Sequence, residues 1–123
     1  MNDRLKFRVW DLDKKEYNQV GFLCSTMNEN GIIEINCLKT NEGGYYYKNF
    51  VIEQSTGLKD KNGKLIFEND VVDIEYHGKS KVFWNGGWRV NGKMSVISFG
   101  KSNAKNCKII GNIHQDSHLL GGK

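Results

Sequence analysis

Four short stretches carry residue types that could do chemistry. Lys61-Asn62-Gly63-Lys64 sets a turn between two lysines, a pattern able to hold an anion in a nest of backbone N–H groups. Asp60-x-Asn62-Gly63 touches a calcium-loop pattern, but the other oxygen ligands and the distal glutamate are missing. Gly100-Lys101-Ser102 ends like a phosphate-binding loop. That motif needs a glycine where Ser95 stands and a helix afterwards, and the sequence announces neither. His114 and His118 are four apart, a chelating spacing on a helix, yet no cysteine or carboxylate completes the set. They read as surface or partner-facing histidines. Cys24, Cys37 and Cys107 have no evident base partner, so no nucleophilic thiol is expected. The reading is therefore of a protein with no catalytic residue, no metal site and no cofactor.

The strongest binding signal is a charge pattern. Between His77 and Gln115 there is no Asp or Glu, but there are seven cations: Lys79, Lys81, Arg89, Lys93, Lys101, Lys105 and Lys108. Residues 1–55 hold seven basic and eight acidic side chains, and residues 56–123 hold eleven and six. Asp60, Glu68, Asp70, Asp73 and Glu75 form an acidic counterpart just upstream. Lys79, Lys81, Trp84, Trp88, Arg89 and Lys93 are expected on a hairpin around Asn85-Gly86-Gly87. Strict alternation there puts Lys79, Lys81 and Phe83 on one face and Val82 and Trp84 on the other. Cations beside an aromatic would suit single-stranded nucleic acid, through phosphate neutralisation and base stacking. The candidate contacts are Lys79, Lys81, Trp88, Arg89 and Lys93. The competing reading puts the tryptophans in the core and leaves the lysines as solvated strand residues that discourage aggregation. The charge pattern makes a positive face only if strand order does not interleave the acidic and basic segments.

The elements that must position these residues read almost throughout as strands. Leu5 to Trp10 alternates with period two, and Leu12 to Tyr17 looks like a turn into a return strand. Val20–Ser25, Ile32–Cys37, Tyr45-Tyr46-Tyr47, Phe50–Ile52, Lys64–Phe67, Val71–Tyr76, Lys81–Trp84, Trp88–Val90, Ser95–Phe99 and Lys108–Ile110 follow. Four Asn-Gly steps punctuate the chain, the strongest short hairpin signal because both residues tolerate positive φ. No segment shows a sustained 3.6 period with caps. Many short strands at close spacing predict an all-β fold, with a small SH3-like or related barrel over residues 55–115. An N-terminal set of strands, residues 1–54, is expected to pack on it within one domain of 1–123, or to pair with another protomer.

Composition sets the class. The chain has 123 residues, no proline and 14 glycines, so its turns rely on Gly, Asn and Asp. Mean hydropathy is −0.58. The aromatic fraction of 11% is too high for a disordered chain. The N-terminus lacks an apolar run of signal-peptide type, and no stretch approaches the roughly 20 apolar residues that span a bilayer. The three cysteines suit reduced core thiols. These features predict a soluble, cytoplasmic protein without membrane contact.

Gln54-Ser55-Thr56-Gly57-Leu58-Lys59-Asp60-Lys61-Asn62-Gly63-Lys64, followed by Ile66-Phe67-Glu68-Asn69-Asp70-Val71-Val72, resembles the signature of the YopX-like proteins of bacteriophages and prophages. Lys6-Phe7-Arg8-Val9-Trp10-Asp11 is similar to that family's start, and Ile110-Gly111-Asn112-Ile113-His114-Gln115 to its C-terminal strand end. Asn69 stands where a glycine is usual, and Asp116-Ser117 replaces a usual Asn-Pro step. The resemblance implies a mostly β protein encoded in mobile elements. It implies no established reaction and carries over no catalytic residue. Read from its residues, the signature is structural: Asn62-Gly63 makes a tight turn, Leu58, Leu65 and Phe67 enter the core, and Asp70 accepts backbone N–H groups.

Three functions follow in order of expectation. The first is a non-enzymatic phage or prophage accessory protein that binds a host or phage protein. The second is a nucleic-acid-binding module using residues 77–115. The third is a small enzyme, which would need a carboxylate gathered beside His77 or His114. Tyr45-Tyr46-Tyr47 on an exposed edge predicts a homo-oligomer.

Overall fold

A computed structural model describes residues 6–18, 20–27, 29–31, 33–40, 45–46, 50–92 and 94–120. For residues 18, 20–27, 33–40 and 45–46 the description is of the backbone alone. Strands make up 52% of the chain and helices are few, so the fold is all-β. The chain forms two compact units, one of Met1–Phe7 with Glu53–Lys123 and one of Arg8–Ile52.

The smaller unit is built from local hairpins. Strand β1 (Phe7–Asp11) pairs antiparallel with β2 (Glu16–Asn18) in the register Trp10↔Tyr17. The Asp11 carboxylate, fully buried, closes the turn by accepting the N–H groups of Asp13 and Lys14, both at 2.9 Å. Trp10 meets Tyr17 edge-on at 4.9 Å, and the Arg8 guanidinium lies 4.5 Å from the Tyr17 ring centre. Each such contact adds about 0.5–1.5 kcal/mol beyond area burial. Next come β3 (Val20–Met27), β4 (Ile33–Thr40) and the two-residue edge strand β5 (Tyr45–Tyr46), in the order β3-β4-β5. The register sets the backbones of Cys24 and Cys37 opposite each other, a proximity their separation in sequence does not announce. Leu5, Tyr47 and Lys93 lie outside the described residues.

The larger unit carries the hydrophobic core. Strand β6 (Phe50–Lys59) turns through Asn62-Gly63 into β7 (Leu65–Phe67), and β8 (Asp70–Ile74) and β9 (Gly78–Lys81) follow. Then come β10 (Phe83–Trp84), β11 (Trp88–Asn91), β12 (Val96–Ser98), the short helix α1 (Lys101–Lys105), β13 (Cys107–Asn112) and the short helix α2 (Ile113–Asp116). A 3₁₀ segment, Ser117–Leu120, ends the described chain. Two three-stranded antiparallel sheets, β13-β8-β9 and β10-β11-β12, enclose Ile66, Val72, Ile74, Val82, Val90, Phe99, Ala104 and Cys107. Each fully buried Val or Ile in this cluster contributes about 1.5–3 kcal/mol of transfer free energy.

Two local expectations are corrected. Ile66, not Leu65 or Phe67, is the fully buried residue of β7. In a three-residue strand Ile66 takes the face opposite to Leu65 and Phe67, and that face meets the core; the β6–β7 register slips by two residues between Ser55 and Lys59, where Gly57 takes φ +79°. A helix does follow Gly100, because Lys101–Lys105 turns helically. It is one turn long, and Ser95 still denies the chain a phosphate loop.

The signature turn is held by one side chain. Asp60 is 6% exposed. Its Oδ1 accepts the N–H groups of Asn62 and Lys64, both at 2.9 Å, and its Oδ2 accepts that of Ile109 at 3.0 Å. Burial alone would raise its pKa, but these three donors and the Lys64 charge outweigh burial and lower it from 3.8. A depressed folded pKa stabilises fully above the unfolded carboxylate range and is lost as pH falls through the folded value. Stability should therefore drop on acidification below about pH 4. Asp60→Asn should flatten that drop in urea titrations read at several pH values, and at neutral pH should cost about 1–3 kcal/mol.

Candidate functional site

The turn Lys61-Asn62-Gly63-Lys64 is not an open anion nest. Its Asn62 and Lys64 N–H groups already point at the Asp60 carboxylate, and the Gly63 N–H donates to the Asp60 carbonyl at 2.9 Å. The same bonds occupy the oxygens a calcium ion would need.

The signature and the C-terminal motif meet instead at a buried carboxylate that the sequence did not single out. Glu53 is fully buried, and its Oε2 lies 2.7 Å from His114 Nε2 and accepts a bond from Asn69 Nδ2 at 2.8 Å. Each partner is delivered by local geometry. Asn69 holds φ +70°, a left-handed backbone that explains why asparagine can stand where the family favours glycine. His114 is placed by Asn112, whose Oδ1 accepts the N–H groups of His114 and Gln115 and so caps α2. Gly111 lets the Asp116 carboxylate approach the backbone, where it accepts the Asn112 N–H at 3.1 Å; a β-carbon at Gly111 would collide with it. So His114 is a partly buried tie to Glu53, with 12% of its side chain exposed, rather than a surface histidine. Among the described residues no three His, Cys, Asp or Glu side chains gather as a metal site. Glu53 left a faint signal: a lone carboxylate closing the apolar run Phe50-Val51-Ile52.

Cys107 is buried, and burial first, then the nearby Asp60 and Asp70 charges, push its thiol up to about 12. Such a thiol is not a nucleophile at neutral pH.

The predicted nucleic-acid contacts separate. Lys79 and Lys81 lie on β9, whereas Trp88 and Arg89 lie on β11 of another sheet. Strand β8 runs between β13 and β9, and the register aligns Lys108, Asp73 and Lys79 in one exposed row. The acidic segment is thus interleaved with the basic one. Alternation also fails at Val82, which breaks the strand: Val82 is fully buried, while Trp84 is 59% exposed. Arg89 is anchored by its own hairpin, donating from Nη1 to Ser98 Oγ at 2.6 Å and from Nε to the Asn85 carbonyl at 3.3 Å.

What the hairpin does present is a pair of indoles. The loop Asn85-Gly86-Gly87, with Gly86 at φ +70°, makes Trp84 and Trp88 direct cross-strand partners. Their rings meet edge-on at 5.1 Å. Trp88 packs against the core and supports the exposed Trp84. Together with Gln54, Ser55, Thr56 and Glu68 they line an open groove of about 420 Å³. The far wall is rigid: Ser55 Oγ accepts the Gly57 N–H, Thr56 Oγ1 donates to the Ile66 carbonyl, and the Glu68 N–H donates to the Gln54 carbonyl. Two indoles, an amide and one carboxylate, with no cation among the described lining residues, suit a peptide better than a phosphate chain.

Removing the buried carboxylate should be costly. Glu53→Ala strands the Asn69 amide and His114 ring and should lose about 2–4 kcal/mol in urea unfolding. Asn69→Gly should cost about 1 kcal/mol for the side-chain bond alone, and Asn69→Val about 1–2 kcal/mol more, because a β-branched residue resists positive φ.

Comparison with known proteins fits this architecture. No curated protein is significantly similar to the chain. A crystal structure of protein EF1440 from Enterococcus faecalis is similar, with a TM-score of 0.64 and 25% identity over 94% of this chain and 96% of that one. The family model described as YopX protein matches residues 6–121, nearly the whole length, and the chain belongs to that family.

Proposed function

We propose that the chain is a non-enzymatic accessory protein of a bacteriophage or prophage, working in the bacterial cytoplasm as a module that binds a host or phage protein. The observation that carries this reading is the Trp84–Trp88 groove. A 59% exposed tryptophan, braced edge-on by a second, is the kind of anchor that dominates protein interfaces. The groups that might have done chemistry serve the fold: Glu53 and His114 hold each other, and the Cys107 thiol is buried and protonated. The edge strand β5 supports self-association, since Tyr45 and Tyr46 pair on one side with β4.

The second reading, a nucleic-acid module, keeps the acid-free stretch from His77 to Gln115 as its support. The interleaving of Asp73 with Lys79 and Lys108 favours the first reading over it.

The experiment is comparative capture from phage-producing host cells, quantified by mass spectrometry. Proteins retained by the wild type should be lost with Trp84→Ala and kept with Lys79→Glu/Lys81→Glu, a change expected to exceed tenfold for a true anchor. Salt-sensitive retention of oligonucleotides that disappears with Lys81→Glu/Arg89→Glu would favour the second reading instead.

A further inference from the structure

The cations of this protein converge, but not at the hairpin. Lys59 ends β6, and Lys101 and Lys105 lie one turn apart on the same face of α1. With Gly57, Leu58 and Ala104 they line a second groove of about 420 Å³. That volume is in the usual range of ligand sites. The rim is formed by three exposed lysines, and among the described residues no carboxylate lines it. None of the three ammonium groups is bonded to a carboxylate among the described residues. The floor is aliphatic: Ala104 belongs to the buried core and Leu58 packs against it. Gly57, at φ +79° where the β6–β7 register slips, lines the groove beside Leu58 and Lys59.

Three like charges around an apolar floor repel one another until a ligand neutralises them. We propose that this groove docks an acidic segment of a partner protein, one that seats an aliphatic side chain on Leu58 and Ala104 between carboxylates facing Lys59, Lys101 and Lys105. Charge complementarity selects the acidic partner. The aliphatic floor selects against nucleic acid, which would want an aromatic platform for its bases. This groove is distinct from the tryptophan groove, whose described lining holds a carboxylate and no lysine.

The test is fluorescence anisotropy with a labelled peptide of alternating glutamate and leucine, on the full chain at low and moderate salt. The expected result is binding that weakens with salt and falls at least tenfold in Lys101→Glu/Lys105→Glu. It should fall similarly when the peptide's leucines become serines, and be unchanged in Trp84→Ala and Lys79→Glu. Lys101→Ala/Lys105→Ala, checked by circular dichroism, should give an intermediate loss and guards against a folding defect in the glutamate variant. Absence of binding at low salt would overturn the proposal. So would equal affinity for the serine peptide, or displacement of the peptide by a single-stranded oligothymidylate. Because Trp84→Ala tests the tryptophan groove alone, failure here and failure there are separate results.

Discussion

The Asp60 carboxylate is the constraint on which the larger unit depends. One side chain accepts three backbone N–H groups, two inside its own turn and one from Ile109 on β13. A local turn is thereby fastened to a strand 49 residues away. Such an anchor does two jobs at once. It fixes the direction in which β6 and β7 leave the Asn62-Gly63 turn, and it fixes the height of β13 beside β8. Cys107 and Ile109 then meet Ile74 and Val72 in register, which closes the core. A carboxylate so fully satisfied is bought with burial of a charge, and only donors held this rigidly can repay it.

A second polar knot lies at Glu53. It joins the residue before the signature, a left-handed asparagine within it, and a histidine set by the C-terminal cap. The most motif-like residues of the chain therefore serve largely to hold one another. The two proposed binding grooves, at the exposed Trp84 and at the lysines around Ala104, each take part of their wall from the signature.

Much of the fold was legible in the sequence because its signals are local. Alternation marked the strands, Asn62-Gly63 and Asn85-Gly86-Gly87 marked real turns, and the resemblance to the YopX-like proteins is matched by a family model covering residues 6–121. The faces were less legible. Ile66, not Leu65 or Phe67, takes the core-facing side of β7, and a break at Val82 turned Trp84 outward. The charge pattern was legible as composition but not as a surface. Whether Lys79 and Lys108 add together depends on strand order, and the order β13-β8-β9 places Asp73 between them. Glu53 left only the faint mark of a carboxylate after an apolar run, and its partners, 16 and 61 residues away, left none.

The signature turn is a staple held by Asp60 rather than a ligand loop. Acid titration of the backbone amides by NMR tests it most directly. The Asn62, Lys64 and Ile109 amide protons should move together with one midpoint below 3.8, and added phosphate should leave them in place. Separate midpoints, a shared midpoint above that value, or a phosphate-dependent shift would contradict it.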